Sequence, residues 1–241
     1  RKLNEMNAIQ VQTQPLQTEE QIRSANRSRL YRLFSESLRY PQADFCDGLR
    51  DGSFSRSVEG LLAFLPYLAE DLCEQARQLG LPRDVPGQEI EVEFVRLFEA
   101  GIGSPPYPLV EGVYDRDRRA VMKELILFYN HFGLSYAEGS QAERPDHLGL
   151  ELEFLHYLTF KEVLAMQSGK DVRGYRRAQI DFLIRHPLSW TGKLVEKVER
   201  ISSNLPEDCS REVVLFYGRL LRLLHGFLEA ECRYLEALAQ N

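Results

Sequence analysis

The segment from Pro145 to about Gln167 most restricts the fold, because apolar residues occupy most of its helical circumference. At roughly 100 degrees per residue, with Asp146 as zero, Leu150, Phe154, Leu158, Leu155, Leu148 and Leu152 sweep from about 40 to about 240 degrees. A helix so widely apolar is buried on most sides. Other helices must therefore surround it. His147 and Glu151 fall inside the apolar arc, at about 100 and 140 degrees, whereas Asp146 and Glu153 share a bearing on the more polar side. Two ionisable groups on the core side cost about 1 to 3 kcal/mol each if left unpartnered. They are expected to pair with each other at i, i+4 or to reach another helix or loop. One reading makes them a structural polar network that pins the helix. The other makes them part of a binding site, since titratable groups at a helix start beside a long loop are a marker of one.

The remainder of the chain supplies the surrounding helices. Ile22, Leu30, Leu33, Phe34 and Leu38 have helical spacing over 18–40, Thr18 and Gln21 have capping-box spacing, and Pro41 ends the run. A Gly- and Asp-rich interval, Asp47 to Ser53, leads into Val58 to Leu79, which Pro66 divides or kinks and Gly80 stops. Gln88 to Ala100, Arg118 to Phe132, Val172 to Arg185, Leu188 to Ile201 and Ser210 to Ala239 also read as helices, and Pro145 suits the first position of its own. No alternating strand pattern or internal repeat is present. The expected class is all-α, with roughly eight to eleven helices in a single compact domain over 18–241. Residues 1–17 read as a flexible tail, and a subdomain hinge is placed near 134–145.

Between these helices, Gly101 to Tyr114 holds three glycines and three prolines among aromatic and aliphatic residues. It cannot be regular helix or central strand. Loops this long inside compact domains are more often functional than idle.

Composition narrows the functions. Over 241 residues, 44% hydrophobic and 27% charged content is that of a folded globular chain, and a formal net charge of -6 disfavours nucleic-acid binding. Cys46, Cys73, Cys209 and Cys232 lack the spacing of a zinc knuckle or redox dithiol and read as reduced thiols. No run is apolar enough to span a membrane, and Arg1 to Glu20 lacks the apolar core of a secretory signal, so a cytoplasmic location without membrane insertion is expected. Enzyme motifs are thin. Glu153-x-x-His156 occurs once where a di-iron site needs two copies. Asp146-His147 reverses the His-Asp order of metal-dependent phosphohydrolases, and no Gly-rich phosphate loop exists. The chain is expected not to be an enzyme and to hold no metal or cofactor, although a helical metal-dependent or nucleotide-binding enzyme and a non-specific scaffold subunit stay as alternatives.

The run Glu143-Arg-Pro-Asp-His-Leu-Gly-Leu-Glu-Leu-Glu-Phe-Leu resembles the signature helix of the TorD/DmsD/NarJ chaperones of molybdoenzymes, in which Asp-His precedes Leu-x-x-Glu-Leu-x-Phe. Pro105-Pro106-Tyr107 with Val113-Tyr114 resembles the family's Pro-Pro-aromatic loop. Phe182-Leu183-x-x-His186-x-x-x-Trp190 resembles its Phe-Leu-x-x-His element. In this chain Pro108 to Gly112 separate Tyr107 from Val113, three residues more than the common family loop. The resemblance implies an all-helical cytoplasmic chaperone, monomeric or a domain-swapped dimer. Its partner would be the catalytic subunit of a molybdopterin-containing oxidoreductase, bound through a twin-arginine leader. It implicates Asp146, His147 and Tyr107 in leader binding; the wheel geometry adds Glu151. Two guanidinium groups followed by an apolar stretch need carboxylates beside an apolar groove. Asp115, Glu111, Asp146 and Glu143 are the expected acidic rim, and Tyr107, Leu109, Val110 and Tyr114 the expected groove.

Overall fold

Thr18 opens the first helix as its spacing predicts: its Oγ1 accepts from the Gln21 N–H at 3.1 Å, and α1 runs Glu19–Ser37. The computed structural model describes residues 15–68, 70–100, 105–114, 117–135, 144–202 and 209–240. Among them are ten α-helices and no strand: α1, α2 (Ala43–Asp51), α3 (Ser53–Leu62), α4 (Glu70–Arg77), α5 (Gly87–Phe94), α6 (Arg118–His131), α7 (Leu148–Gln167), α8 (Arg173–Arg185), α9 (Pro187–Ser202) and α10 (Arg211–Ala239). The all-α expectation holds. Of the expected tail 1–17 only 15–17 are described, and the hinge proposed near 134–145 falls largely on 136–143, outside the described residues.

Two local expectations are corrected. The interval Asp47 to Ser53 is mostly helix, because Phe45, Cys46 and Leu49 give α2 an apolar face: Cys46 and Leu49 are buried, and the Phe45 ring meets Phe54 and Phe216. That packing outweighs the roughly 1 kcal/mol helix penalty of Gly48. The break is a single residue, Gly52, whose φ of 74° ends α2 and starts α3. Pro145, expected at the first helical position, instead lies in a turn ahead of α7. His147 stays extended at φ -81°, ψ 132° because it forms an antiparallel bridge with Val110, so the helix begins at Leu148.

Helix α7 is buried over most of its circumference, from Leu148 through Phe154 and Leu158 to Glu162, while Glu153, His156, Phe160 and Lys161 on the remaining side are partly buried. Its closest neighbour is α1, which meets it through small polar residues. Ser24 Oγ reaches Glu162 at 3.4 Å, Ser28 Oγ the His156 carbonyl at 3.1 Å, and Ser35 Oγ the Gly149 carbonyl at 2.7 Å. Numbers rise along one helix as they fall along the other, so the two are antiparallel. Small side chains let the backbones come close, and each hydroxyl finds an acceptor. The 29-residue α10 packs on α4, α5, α8 and α9 and supplies Phe227 to the Tyr31 and Phe34 rings of α1.

One buried ionic centre ties these layers. The Arg27 guanidinium, with no exposed surface, bonds Glu231 of α10 at 2.8 Å, Glu162 of α7 at 3.2 Å and Gln179 of α8 at 2.7 Å. Tyr31 and Tyr67 donate to Glu231, and Arg176 donates to Glu162. Each of the three guanidinium nitrogens meets an acceptor, which offsets the desolvation cost of burying the charges. Arg27→Met should cost about 3–5 kcal/mol, because it strands a buried carboxylate. Arg32→Met, which breaks only an exposed i, i+4 pair with Glu36, should cost under about 0.5 kcal/mol. Urea unfolding of the two variants checks this.

Candidate functional site

Residues 105–114 and the start of α7 are stitched together by backbone. Leu148 N–H donates to the Leu109 carbonyl at 2.8 Å, and Glu111 N–H to the Asp146 carbonyl at 2.9 Å, flanking the Val110–His147 bridge. A 3-10 turn, Glu111–Val113, follows directly. The close approach depends on Gly112. Its N–H donates to Asp146 Oδ2 at 3.1 Å, and a Cβ there would lie 2.8 Å from Arg118 Cγ and 2.9 Å from Asp146 Oδ2. Tyr129 of α6 holds the same corner by donating to the Pro145 carbonyl at 2.9 Å.

Asp146 has no exposed surface, contrary to its expected position on a polar face. The reason is that it precedes the helix, so its wheel bearing does not apply. Arg144 grips it as a fork, Nε to Oδ1 at 3.0 Å and a terminal nitrogen to Oδ2 at 2.7 Å, while the Arg144 side chain keeps 34% exposure. His147 is the N-cap of α7: its Nδ1 accepts from the Gly149 N–H at 3.1 Å. It does not form the i, i+4 pair with Glu151 that was one of the two expected outcomes; the cap geometry turns its ring back on its own helix.

Glu151 takes the other expected outcome and reaches a different helix. It lies fully buried, one turn into α7, and accepts from the Trp190 indole N–H at 3.3 Å. Burial first, and then the charges of Glu111 and Asp146, push its carboxyl well above the usual range, the Trp190 bond only partly opposing them. Burial thus favours the protonated, neutral form of Glu151. Glu111, also buried, is bonded to His186 Nδ1 at 2.9 Å. His186 stacks edge-on against Phe128, and the outer Glu124 is paired with Arg185. Three carboxyl groups, from Glu111, Asp146 and Glu151, thus share one buried corner. Burial first, and then the acidic surroundings of this corner, raise the Tyr129 phenol far above its ordinary value.

The expected site residues divide accordingly. Asp146, His147, Glu151 and Tyr114 border this corner; Tyr114 donates to the Pro108 carbonyl at 3.0 Å, its ring is 5.0 Å from Trp190, and Lys197 Nζ sits 4.6 Å over it. Tyr107 is anchored at the other side of the loop, its N–H bonded to Leu97 O at 3.0 Å and its phenol pushed up to about 12 by burial. Asp115 and Glu143 lie outside the described residues. The expected open rim and groove are corrected as well. Glu111, Asp146, Tyr107, Leu109 and Tyr114 are all buried, because the loop folds onto the helices instead of standing off them. The apolar surface beside the corner is a shallow groove of about 400 Å³ between α6 and α8, lined by Leu127, Phe128, Phe132 and Ala178, with Leu127 60% exposed. Sequence reasoning met His186 and Trp190 only through the resemblance to the Phe-Leu-x-x-His element, and missed Arg144 and Gly112. His186 lies between α8 and α9, on neither helix, so no helical spacing links it to Trp190, and its place beside Glu111 follows only from the packing.

The family model described as nitrate reductase delta subunit matches residues 59–196. The perchlorate reductase assembly chaperone protein of Dechloromonas aromatica (strain RCB) is 36% identical over 173 residues, covering 70% of this chain and 75% of that one. The chlorate reductase assembly chaperone protein of Ideonella dechloratans is 34% identical over 136 residues, covering 55% and 70%. The dimethyl sulfide dehydrogenase assembly chaperone protein of Rhodovulum sulfidophilum is 30% identical over 225 residues, covering 88% and 81%. The class defined by these likenesses and by the helical fold is that of assembly chaperones, not catalysts. Within it, the chain belongs to the nitrate reductase delta subunit family, the TorD/NarJ group of maturation chaperones.

The buried acid gives a pH test. An unfolded Glu titrates near 4.5, and the folded Glu151 higher. Between those two values the native state keeps a proton that the unfolded chain has released. The associated stability is complete below about 4.5 and is lost as pH rises toward the folded value. Glu151→Gln keeps the neutral form at every pH. Its stability relative to the parent should rise from pH 5 to pH 8 by at most about 1.4 kcal/mol per unit, read from urea unfolding at each pH. A difference independent of pH would show that Glu151 is ionised in the fold.

Proposed function

We propose that this chain is a system-specific chaperone that binds the twin-arginine leader of the catalytic subunit of a molybdopterin-containing oxidoreductase and holds that subunit until its cofactor is inserted. It acts in the cytoplasm, before export or assembly. The observation that carries this reading is the joining of residues 105–114 to the start of α7 around Asp146, Glu111 and Glu151. A cationic peptide is the complement of such a corner. The groove along Leu127 and Phe128 supports the reading for the apolar stretch that follows the arginines: Phe128 touches both the groove and His186. The absence, among the described residues, of any helix long and apolar enough to cross a membrane is compatible with it. The relatives named for perchlorate, chlorate and dimethyl sulfide enzymes favour a client of that broad kind.

Calorimetry with a synthetic twin-arginine leader tests it. The parent should bind the leader saturably and should not bind the same peptide with both arginines replaced by glutamine. Leu127→Ser should weaken binding about tenfold, in line with losing 1–2 kcal/mol of apolar contact. Equal affinity for the two peptides would remove the leader from this reading. Co-purification from the native host with mass spectrometry should recover one molybdoenzyme precursor.

A further inference from the structure

Asp146 is not an empty receptor. Both of its carboxylate oxygens accept from the Arg144 guanidinium, at 3.0 and 2.7 Å, and Oδ2 also accepts from the Gly112 N–H at 3.1 Å. Two residues apart, with Pro145 between them, Arg144 and Asp146 form the planar two-bond fork by which a guanidinium is selected over an ammonium. The aspartate is wholly buried, and the arginine covers it while remaining one-third exposed. Arg144 is thus a partly solvated group lying over the buried carboxylate. Beneath it, Glu111 and Glu151 add acidic groups to the same corner, and His186 is the bonded partner of Glu111. The corner is thus built for a guanidinium and already holds one.

We propose that the Asp146 cradle is a guanidinium subsite in which Arg144 is a built-in occupant, and that an arginine of the bound peptide takes over the fork as Arg144 swings out into solvent. The inference rests on the proposed leader-binding role, and it adds the residue of this chain that competes for Asp146 and the exchange by which it is displaced. Exchange of one guanidinium for another leaves the buried aspartate paired at the end. The cost of the bound state is then the rearrangement of a side chain that is already partly solvated, not the exposure of an unpaired buried charge. Arg144 thereby sets specificity: a lysine side chain, which cannot supply the two-bond fork, displaces it poorly.

The probes are N-acetylarginine amide, its neutral isostere N-acetylcitrulline amide, and the leader peptide, each titrated into the parent, Arg144→Ala and Arg144→Lys by calorimetry and thermal-shift measurement. Arg144→Ala should bind N-acetylarginine amide at least tenfold more tightly than the parent, be raised in Tm by it, and ignore the citrulline amide. The leader should bind Arg144→Ala about tenfold more tightly than it binds the parent. Should Arg144→Ala fail to fold without ligand, Arg144→Lys, which keeps the charge and loses the fork, should give the same order with a smaller gain. A folded Arg144→Ala or Arg144→Lys that binds the arginine amide no better than the parent overturns the subsite. Leader binding that is equal in parent and variants overturns the exchange while leaving the leader-binding role intact. Arginine-amide binding that depends on Arg144, with no leader binding in any variant, upholds the subsite and removes the leader.

Discussion

The rest of the fold depends on the buried Arg27. Its guanidinium sits where α1, α7, α8 and α10 converge and meets Glu231, Glu162 and Gln179. Hydrophobic contact alone would let such helices slide, since apolar packing is nondirectional. A fork with a fixed bond on each neighbouring helix admits one register. Burial opposes the ionised form of Glu162, yet Arg27, Gln179 and Arg176 together hold its carboxyl below the usual range. That acid therefore stabilises the fold above the ordinary carboxyl range and loses the contribution as pH falls through its lowered value. The serine-lined contact of α1 with α7 fits the same logic, because short side chains with local acceptors bring the two helices close enough for the arginine to reach across.

The second ionic centre, at Asp146, is built differently. Arg27 is sealed and all its partners are internal, whereas Arg144 lies at the protein's edge with part of its side chain in solvent. Around Arg27, carboxylates and cations are matched; around Asp146, three carboxyl groups share a corner and burial pushes one of them, Glu151, toward its neutral form. The excess of carboxyl groups is buried, and Arg144 is the partly solvated cation beside it. In the proposed function, that excess is what receives a positively charged partner. The loop is held there by backbone bonds and by Gly112, so the corner is preformed in the folded chain.

Much of this was legible beforehand. The wide apolar arc correctly made α7 the central helix, the breaks at Pro66 and Gly133 fell where Gly and Pro chemistry puts them, and the Pro-rich loop and Asp-His segment do meet. The misreadings share a cause. Helix α2 was hidden by Gly48 and two aspartates, because its stability comes from Phe45, Cys46 and Leu49 against distant rings. Asp146 was placed on a polar face by a wheel that assumed a helix three residues too early. The bridge to Val110, some 37 positions back in the chain, is what delays the helix.

Local spacing by itself determined the helical class, the approximate extent of most helices and the presence of ionisable groups on the buried face of α7, since helix periodicity and chain breakers act over a few residues. Which partner each buried charge takes was decided only in three dimensions. Glu151 meets Trp190, Glu111 meets His186 and Arg27 meets Glu231 across separations of 39, 75 and 204 residues. Those pairings arise from the packing of whole helices, and no short-range pattern encodes them.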